Sequence, residues 1–454
     1  MSVTRVLVAN RGEIALRIIR ACQGLGIDTV LAASRADVES MPARVAGRTV
    51  CVGPESASES YLKPHLLVGA ALATDCDALH PGYGFLAESP ELAELCLEHG
   101  LTFVGPRPEQ IREMGNKIRA RSLASKLGLP TLSGSQRVES PEQALSVARE
   151  VGLPLMLKAA AGGGGRGMKI VHRDVDVIPM FVAATNEARS AFGDGTLYLE
   201  RYISNARHVE VQVLGDKYGD VIHLGERDCS LQRRHQKLVE EAPAPNMAED
   251  LRDRIRAAGV ALAKGFGYEN AGTVEFILDE DAKDFFFLEM NTRIQVEHPV
   301  TEMVTGIDLV QEQLRVARGE ALRFNQEDIV IRGHAIECRI NAEDVEEGFR
   351  PSPGVIEEWE PPAGANVRLD SHCYAGYRVP IFYDSMIGKL IVYGTDRSEA
   401  LERMLCALQM FKVEGVSTTI GFQRFLISQQ RFRCGEMNTI LVEEVLPKLD
   451  TRKS

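Results

Sequence analysis

Residues 289–299 read Glu289-Met-Asn-Thr-Arg-Ile-Gln-Val-Glu-His-Pro299, directly behind the apolar run Phe285-Phe-Phe-Leu288. An extended chain sends alternate residues to one face. Glu289, Asn291, Arg293, Gln295 and Glu297 therefore point one way if the strand stays extended to its end. Burying that row unpaired costs several kcal/mol per charge. Two outcomes remain. One is a charged, solvated edge strand, against which the apolar lead-in argues. The other is a cleft floor that holds metal ions and a small anion.

The residues just upstream bear on this choice. Thr273-Val-Glu-Phe-Ile277 reads as a strand with Glu275 inside a sheet, residues 279–284 as a hairpin, and the return strand ends in Glu289. Two carboxylates on paired strands can share hard cations through oxygen, and Mg²⁺ is usually held by one or two carboxylates plus nucleotide phosphates. Leu153-Pro-Leu-Met-Leu-Lys158 reads as a strand that runs into Ala159-Ala-Ala-Gly-Gly-Gly-Gly-Arg-Gly167 and a second short strand, Met168-Lys-Ile-Val171. Four consecutive glycines are costly in entropy unless the backbone must approach something closely. Their amides suit phosphate oxygens, with Lys158 and Arg166 adding charge; a flexible linker is the plainer alternative. Gly162, Gly164 and Gly167 satisfy Gly-x-Gly-x-x-Gly only formally, because a dinucleotide loop must open a helix. No Walker sequence occurs.

Elsewhere the chain opens as strand (3–9), helix (13–25) and strand (29–33), a parallel α/β start. His80-Pro-Gly-Tyr-Gly-Phe-Leu-Ala-Glu-Ser89 is a tight loop after a strand, either a ligand contact or a structural turn. Lys117 precedes a helix (119–127), where a lone Lys is commonly solvated. Val209, Val211 and Val213 alternate with Glu210 and Gln212, so this strand has one apolar and one polar face, and residues 221–225 read as its antiparallel partner. Glu226-Arg-Asp-Cys-Ser-Leu-Gln-Arg-Arg-His-Gln-Lys237 reads as a loop, either a solvated turn or the charged wall of an anion cleft. Helices are expected at 141–151, 250–265 and 397–411. His334-Ala-Ile-Glu-Cys-Arg-Ile-Asn341 alternates again, with Glu337, Arg339 and Asn341 on one face.

The 454 residues allow two or three domains. A net charge of −12 argues against bulk binding of nucleic acid or anionic membrane, while leaving room for a local basic cleft. Nine cysteines without Cys-x-x-Cys spacing suggest reduced thiols in a cytoplasmic protein. No apolar run reaches the roughly 18 residues of a membrane span.

Taken together, these motifs resemble the biotin carboxylase family of ATP-grasp enzymes from Ala9-Asn-Arg-Gly-Glu-Ile-Ala15 to Tyr383-Asp-Ser-Met-Ile-Gly-Lys389, most specifically at 162–168, 226–245, 289–301 and 332–344. The resemblance implies a mixed α/β and α+β fold in three parts. These are an N-terminal Rossmann-like domain (1–115), an ATP-grasp domain (121–318) with a glycine-rich lid at about 131–203, and a C-terminal α+β domain (334–441). By motif match, Lys117, Lys158, Gly164, Gly165, His208 and His235 contact the nucleotide, and Glu200, Arg201, Tyr202 and Ile203 line its adenine pocket. Glu275, Glu289 and Asn291 match ligands of Mg²⁺ or Mn²⁺, with two ions expected. Lys237, Arg293, Gln295, Val296 and Glu297 match a bicarbonate site. Arg339 faces both biotin and bicarbonate, and Tyr83 borders biotin.

The implied reaction is ATP-dependent carboxylation of biotin on a separate carrier protein through carboxyphosphate, with Glu297 as base and Arg293, Lys237 and Arg339 as the other catalytic groups. No Ala/Val-Met-Lys-Met/Leu attachment sequence is present, so biotin is expected as a substrate on another chain. The implied partners are the biotin carboxyl carrier and carboxyltransferase subunits and a second copy of the chain. The larger reaction would be that of an acetyl-CoA or related acyl-CoA carboxylase. A pyruvate or oxo-acid carboxylase, or another ATP-grasp ligase, is the alternative. Departures from the family pattern, such as Ser417 where Lys is common and Ala160-Ala161 for Ser-Gly, touch no matched catalytic position.

Overall fold

The computed structural model describes residues 3–135, 137–160 and 168–450. The N-terminal part is a five-stranded parallel sheet in the order Arg48–Gly53, Asp28–Ser34, Arg5–Val8, Ala78–His80, Thr102–Phe103. Strand order reverses between Arg5–Val8 and Ala78–His80, and ligand crevices form at such a switch point. Two loops meet there. Asn10 Nδ2 donates to the carbonyls of Pro81 and Tyr83, both at 2.7 Å. Gly12 has φ +66°, which lets the first loop turn directly into the helix Gly12–Gly24.

The central sheet has eight strands, in the order Asp284–Asn291, Asn270–Asp279, Ala206–Gly215, Val221–Arg233, Gln236–Ala242, His334–Asn341, Met386–Gly394, Val367–Asp370. All neighbours are antiparallel. One face packs on the helix Glu249–Gly265: Leu251, Ile255 and Leu262 bury Val209, Val211, Val213, Val274 and Phe276. The period-two alternation of the strand therefore sends Glu210 and Gln212 to the opposite face. The sheet does not stop at the end of the ATP-grasp part. Gln236–Ala242 pairs with His334–Asn341, so the strands expected in a separate C-terminal piece extend the same sheet.

A smaller three-stranded sheet, Lys169–Val171, Leu155–Ala159, Leu197–Arg201, is covered by the helices Pro141–Val151 and Asp174–Phe192. Leu155 pairs with Val171, so the two strands expected on either side of the glycine run are antiparallel neighbours. Gly164, Gly165 and Arg166 lie outside the described residues.

On the far side of the central sheet, Glu241 accepts from His334 Nε2 at 2.6 Å and from Arg397 Nε at 2.7 Å, clamping the helix Arg397–Met410 to two strands. Burial raises the Glu241 pKa, but Arg397 and His334 outweigh it and pull the carboxyl down to about 2. A depressed carboxylate contributes stability that is present above its unfolded pKa and lost as pH falls through the folded value. Glu241 should contribute roughly 3 kcal/mol that disappears between about pH 4.5 and 2. Arg397→Ala should cost about 3–5 kcal/mol at pH 7 in a denaturant melt and flatten the acid limb of a Tm-versus-pH profile. An unchanged profile would show that the clamp adds nothing.

Candidate active site

Register brings the acids together. Glu289 lies directly opposite Glu275, Glu275 opposite Glu210, and Glu210 opposite Arg227, making one row across four strands. Beside the first pair the return strand carries one extra residue, Leu288, between Phe287 and Glu289, a bulge of the kind that re-aims side chains next to functional sites. Phe285 and Phe287 enter the core with Phe276.

The chain leaves the strand at Asn291, so the alternating row does not continue to Glu297. Residues 292–297 form a loop that ends on the helix His298–Thr305. This loop folds back over the row. Gln295 Nε2 and Asn291 Nδ2 both donate to Glu275 Oε1, at 3.0 and 2.9 Å. Arg293 Nη2 reaches Asn291 Oδ1 at 3.1 Å, and its Nε is held by Glu88 of the N-terminal part at 2.9 Å.

Lys237 is the hub. Its Nζ lies 2.6 Å from Glu210, 3.0 Å from Glu275 and 2.5 Å from Glu297. Burial works against its charge, but the three carboxylates more than compensate and hold its pKa well above the usual lysine value. Arg339 donates to Glu297 Oε2 at 2.9 Å and through Nε to Glu240 at 2.6 Å. Glu297 is fully buried. Burial alone would raise its pKa, yet Lys237, Arg339 and Arg227 hold it far below the usual range, so it is a carboxylate at neutral pH. His208 Nε2 lies 3.1 Å from Glu275, which outweighs burial and raises the imidazole pKa.

The remaining expected residues flank this cluster. Lys117 pairs with Glu289 at 2.8 Å. Lys158 pairs closely with Glu200, and Arg121 approaches the same carboxylate at 3.7 Å. His235 sits at the turn between the strands ending at Arg233 and starting at Gln236, where partial desolvation and the charges of Lys158 and Lys117 lower its pKa. Arg201 faces Asp279 at 3.6 Å, and Arg201, Tyr202 and Ile203 line a cavity of 480 Å³ with Pro154 and Asp281. Val296 offers its carbonyl to Lys389 at 2.8 Å. Tyr83 donates to Glu13, and Lys389 Nζ lies over its ring, 5.8 Å from the centroid.

The expected loop at 226–237 is two strands instead. Arg227 is fully buried and bonds Glu210, Gln212, Thr301 and Thr273 at 2.6–3.2 Å. Its neighbours Glu226 and Asp228 are matched by Arg252, Arg256 and Arg207. Glu210, Arg227 and Glu240 are site residues that motif matching passed over. The only sequence signal for Glu210 is its place on the polar face of an alternating strand. Glu275, Glu289 and Asn291 offer three oxygen donors, which fits a hard divalent cation carrying nucleotide phosphates.

Comparison with known proteins identifies the family. Residues 2–111 match the model of the biotin carboxylase N-terminal domain, 116–325 the ATP-binding domain of the carbamoyl-phosphate synthase L chain, and 337–444 the biotin carboxylase C-terminal domain. The chain is 50% identical over 446 residues to a biotin carboxylase of Nostoc sp., covering 98% of this chain and 100% of that one. It is 49% identical over 448 residues to a pyruvate carboxylase subunit from Methanothermobacter thermautotrophicus, covering 98% and 91%. Among solved structures, it superposes with a TM-score of 0.94 on the biotin carboxylase domain dimer of Hydrogenobacter thermophilus 2-oxoglutarate carboxylase in complex with MgADP, ADP and bicarbonate, at 47% identity and 97% coverage of both chains. Near-identity in fold, half the sequence in common and three consecutive domain models leave one assignment: the chain belongs to the biotin carboxylase family of ATP-grasp ligases.

Proposed function

We propose that this chain uses ATP and bicarbonate to carboxylate N1 of a biotin carried on another polypeptide, through carboxyphosphate. The observation that carries the reading is Glu297, a buried carboxylate shared between Lys237 and Arg339 and set beside the Glu275–Glu289–Asn291 oxygen set. Bicarbonate is a weak nucleophile and needs both placement and deprotonation. Lys237 and Arg293 hold the anion, with Gln295 and Val296 closing its site, and Glu297 takes the proton. When Lys237 and Arg339 turn from Glu297 toward incoming anions, the carboxylate loses the charges that depress its pKa and becomes a stronger base.

A bicarbonate oxygen then bonds to the γ-phosphorus as ADP leaves. Lys117, Lys158, His208 and His235 steady the phosphates, and residues 200–203 hold the base. Divalent ions, Mg²⁺ or Mn²⁺ and two in number, bound by Glu275, Glu289 and Asn291, supply charge neutralisation on the phosphates. Carboxyphosphate breaks into CO2 and phosphate, the phosphate removes the N1 proton of biotin, and N1 attacks CO2. Arg339 stabilises the ureido oxygen as it gains negative charge, with Tyr83 bordering the ring.

The working parts in this reading are 1–115, 121–318 with a lid at 131–203, and 334–441, assembled as a homodimer that serves carrier and carboxyltransferase subunits. An acyl-CoA such as acetyl-CoA is the proposed final acceptor. The likeness to pyruvate and 2-oxoglutarate carboxylases supports an oxo acid as the second reading, and coupled assays with each acceptor separate them. The purified chain should release ADP from ATP only with bicarbonate present, and faster with free biotin. ATP turnover indifferent to both would overturn the proposal.

A further inference from the structure

The proposed mechanism leaves unused a lysine that is fully buried beside it. Lys389 is 0% exposed on the strand Met386–Gly394. It lies opposite Arg339 on one side and Asp370 on the other, in a second charged row of the central sheet. A buried ammonium is expensive to desolvate, and an apolar side chain of similar length fills the same space without that cost. What the charge does is specific. Nζ donates to the carbonyl of Val296 at 2.8 Å, the peptide on which Glu297 is mounted. The same Nζ lies 3.2 Å from Glu13 Oε1, which also accepts from the Tyr83 hydroxyl. His298 Nδ1 lies 2.8 Å from the carbonyl of Gln295, so the peptide segment before Glu297 is pinned at two successive carbonyls.

We infer that Lys389 is a positioning residue that ties the biotin side of the site to the bicarbonate base. In this relay, biotin arriving at Tyr83 tightens the loop carrying Glu297 through Glu13 and Lys389. The inference rests on the proposed roles of Tyr83 and Glu297, and it gives a physical route by which biotin speeds ATP cleavage. The route is contiguous: hydroxyl to carboxylate, carboxylate to ammonium, ammonium to peptide carbonyl. Glu337, two residues from Arg339, also feels the charge of Lys389, but neither of its carboxylate oxygens is hydrogen-bonded.

The test is steady-state ADP release by the full-length protein, with bicarbonate, ATP and free biotin varied separately. Wild-type protein comes first: failure to depend on bicarbonate and biotin would overturn the proposed function itself. Given that dependence, Lys389→Met should raise the bicarbonate KM roughly 10–100-fold, the worth of a lost charged hydrogen bond, with the ATP KM within about twofold. Stimulation by biotin should disappear. Glu13→Gln should also abolish the stimulation while sparing the ATP KM. A merely structural role would instead lower kcat through fewer folded molecules and leave both the bicarbonate KM and the stimulation factor in place. A cooperatively melting Lys389→Met protein with wild-type bicarbonate KM and stimulation would overturn the inference. If that variant does not fold, Glu13→Gln decides, and undiminished stimulation by biotin overturns it.

Discussion

Glu297→Ala should depress carboxybiotin formation and bicarbonate-dependent ADP release together, each by about 10²–10⁴. In the proposed mechanism deprotonation of bicarbonate precedes phosphoryl transfer, so losing the proposed base stops both half-reactions. The fold should survive, because Lys237 retains Glu210 and Glu275 as partners. Arg339→Ala should behave differently. Its guanidinium is assigned to the ureido oxygen, so carboxylation should fall by about 10²–10³ while bicarbonate-dependent ADP release falls far less. Of the two carboxylates it abandons, Glu297 keeps Lys237 as a partner and Glu240 can adapt. Burial already raises the Glu240 pKa to about 7, and without Arg339 the carboxyl takes up a proton instead of remaining as an unpaired charge. ADP and carboxybiotin measured side by side on both variants decide the matter. Equal loss of ATP cleavage in the two would show that Arg339 acts before the chemistry divides.

The second large effect is expected at the proposed metal ligands. Glu289 is the cleaner of the pair to remove. Its side chain is 28% exposed and its charge partner is Lys117, whereas Glu275 is enclosed by Lys237, His208, Asn291 and Gln295. Glu289→Gln keeps the shape and removes the charge that a divalent ion needs. Turnover should fall by about 10²–10³, with thermal stability nearly unchanged and a higher Mg²⁺ concentration needed for half-maximal rate. A wild-type kcat at saturating Mg²⁺ would remove Glu289 from the metal site.

The parts of this site legible in the sequence were those written in local patterns. The hairpin that sets Glu275 against Glu289 follows from an apolar strand, a turn and a second apolar strand. The alternation in residues 334–341 matches the observed strand His334–Asn341. The polar run 226–237 was harder, because its charges are buried by partners far along the chain. Arg227 finds Glu210 and Thr301, and Glu226 finds Arg252 and Arg256. Read alone, such a strand looks like a solvated loop, since a single sequence shows the cost of burying each charge but not the charge that offsets it. The loop after Asn291 misleads for a related reason: its residues converge on Glu275 by folding back, not by strand alternation.

The pairing of Gln236–Ala242 with His334–Asn341 bears on how such a chain can be cut or exchanged. Severed near residue 330, the first portion would present Gln236–Ala242 as a raw edge, with unpaired amides and carbonyls open to any other extended chain. The remainder would lose the neighbour that fixes Arg339 in register. Recombination between relatives at this point would have to carry both strands from one parent, or reproduce their side-chain complementarity residue for residue. Domain shuffling therefore meets its barrier here in backbone hydrogen bonding, at a boundary that looks like an ordinary linker when drawn on a line.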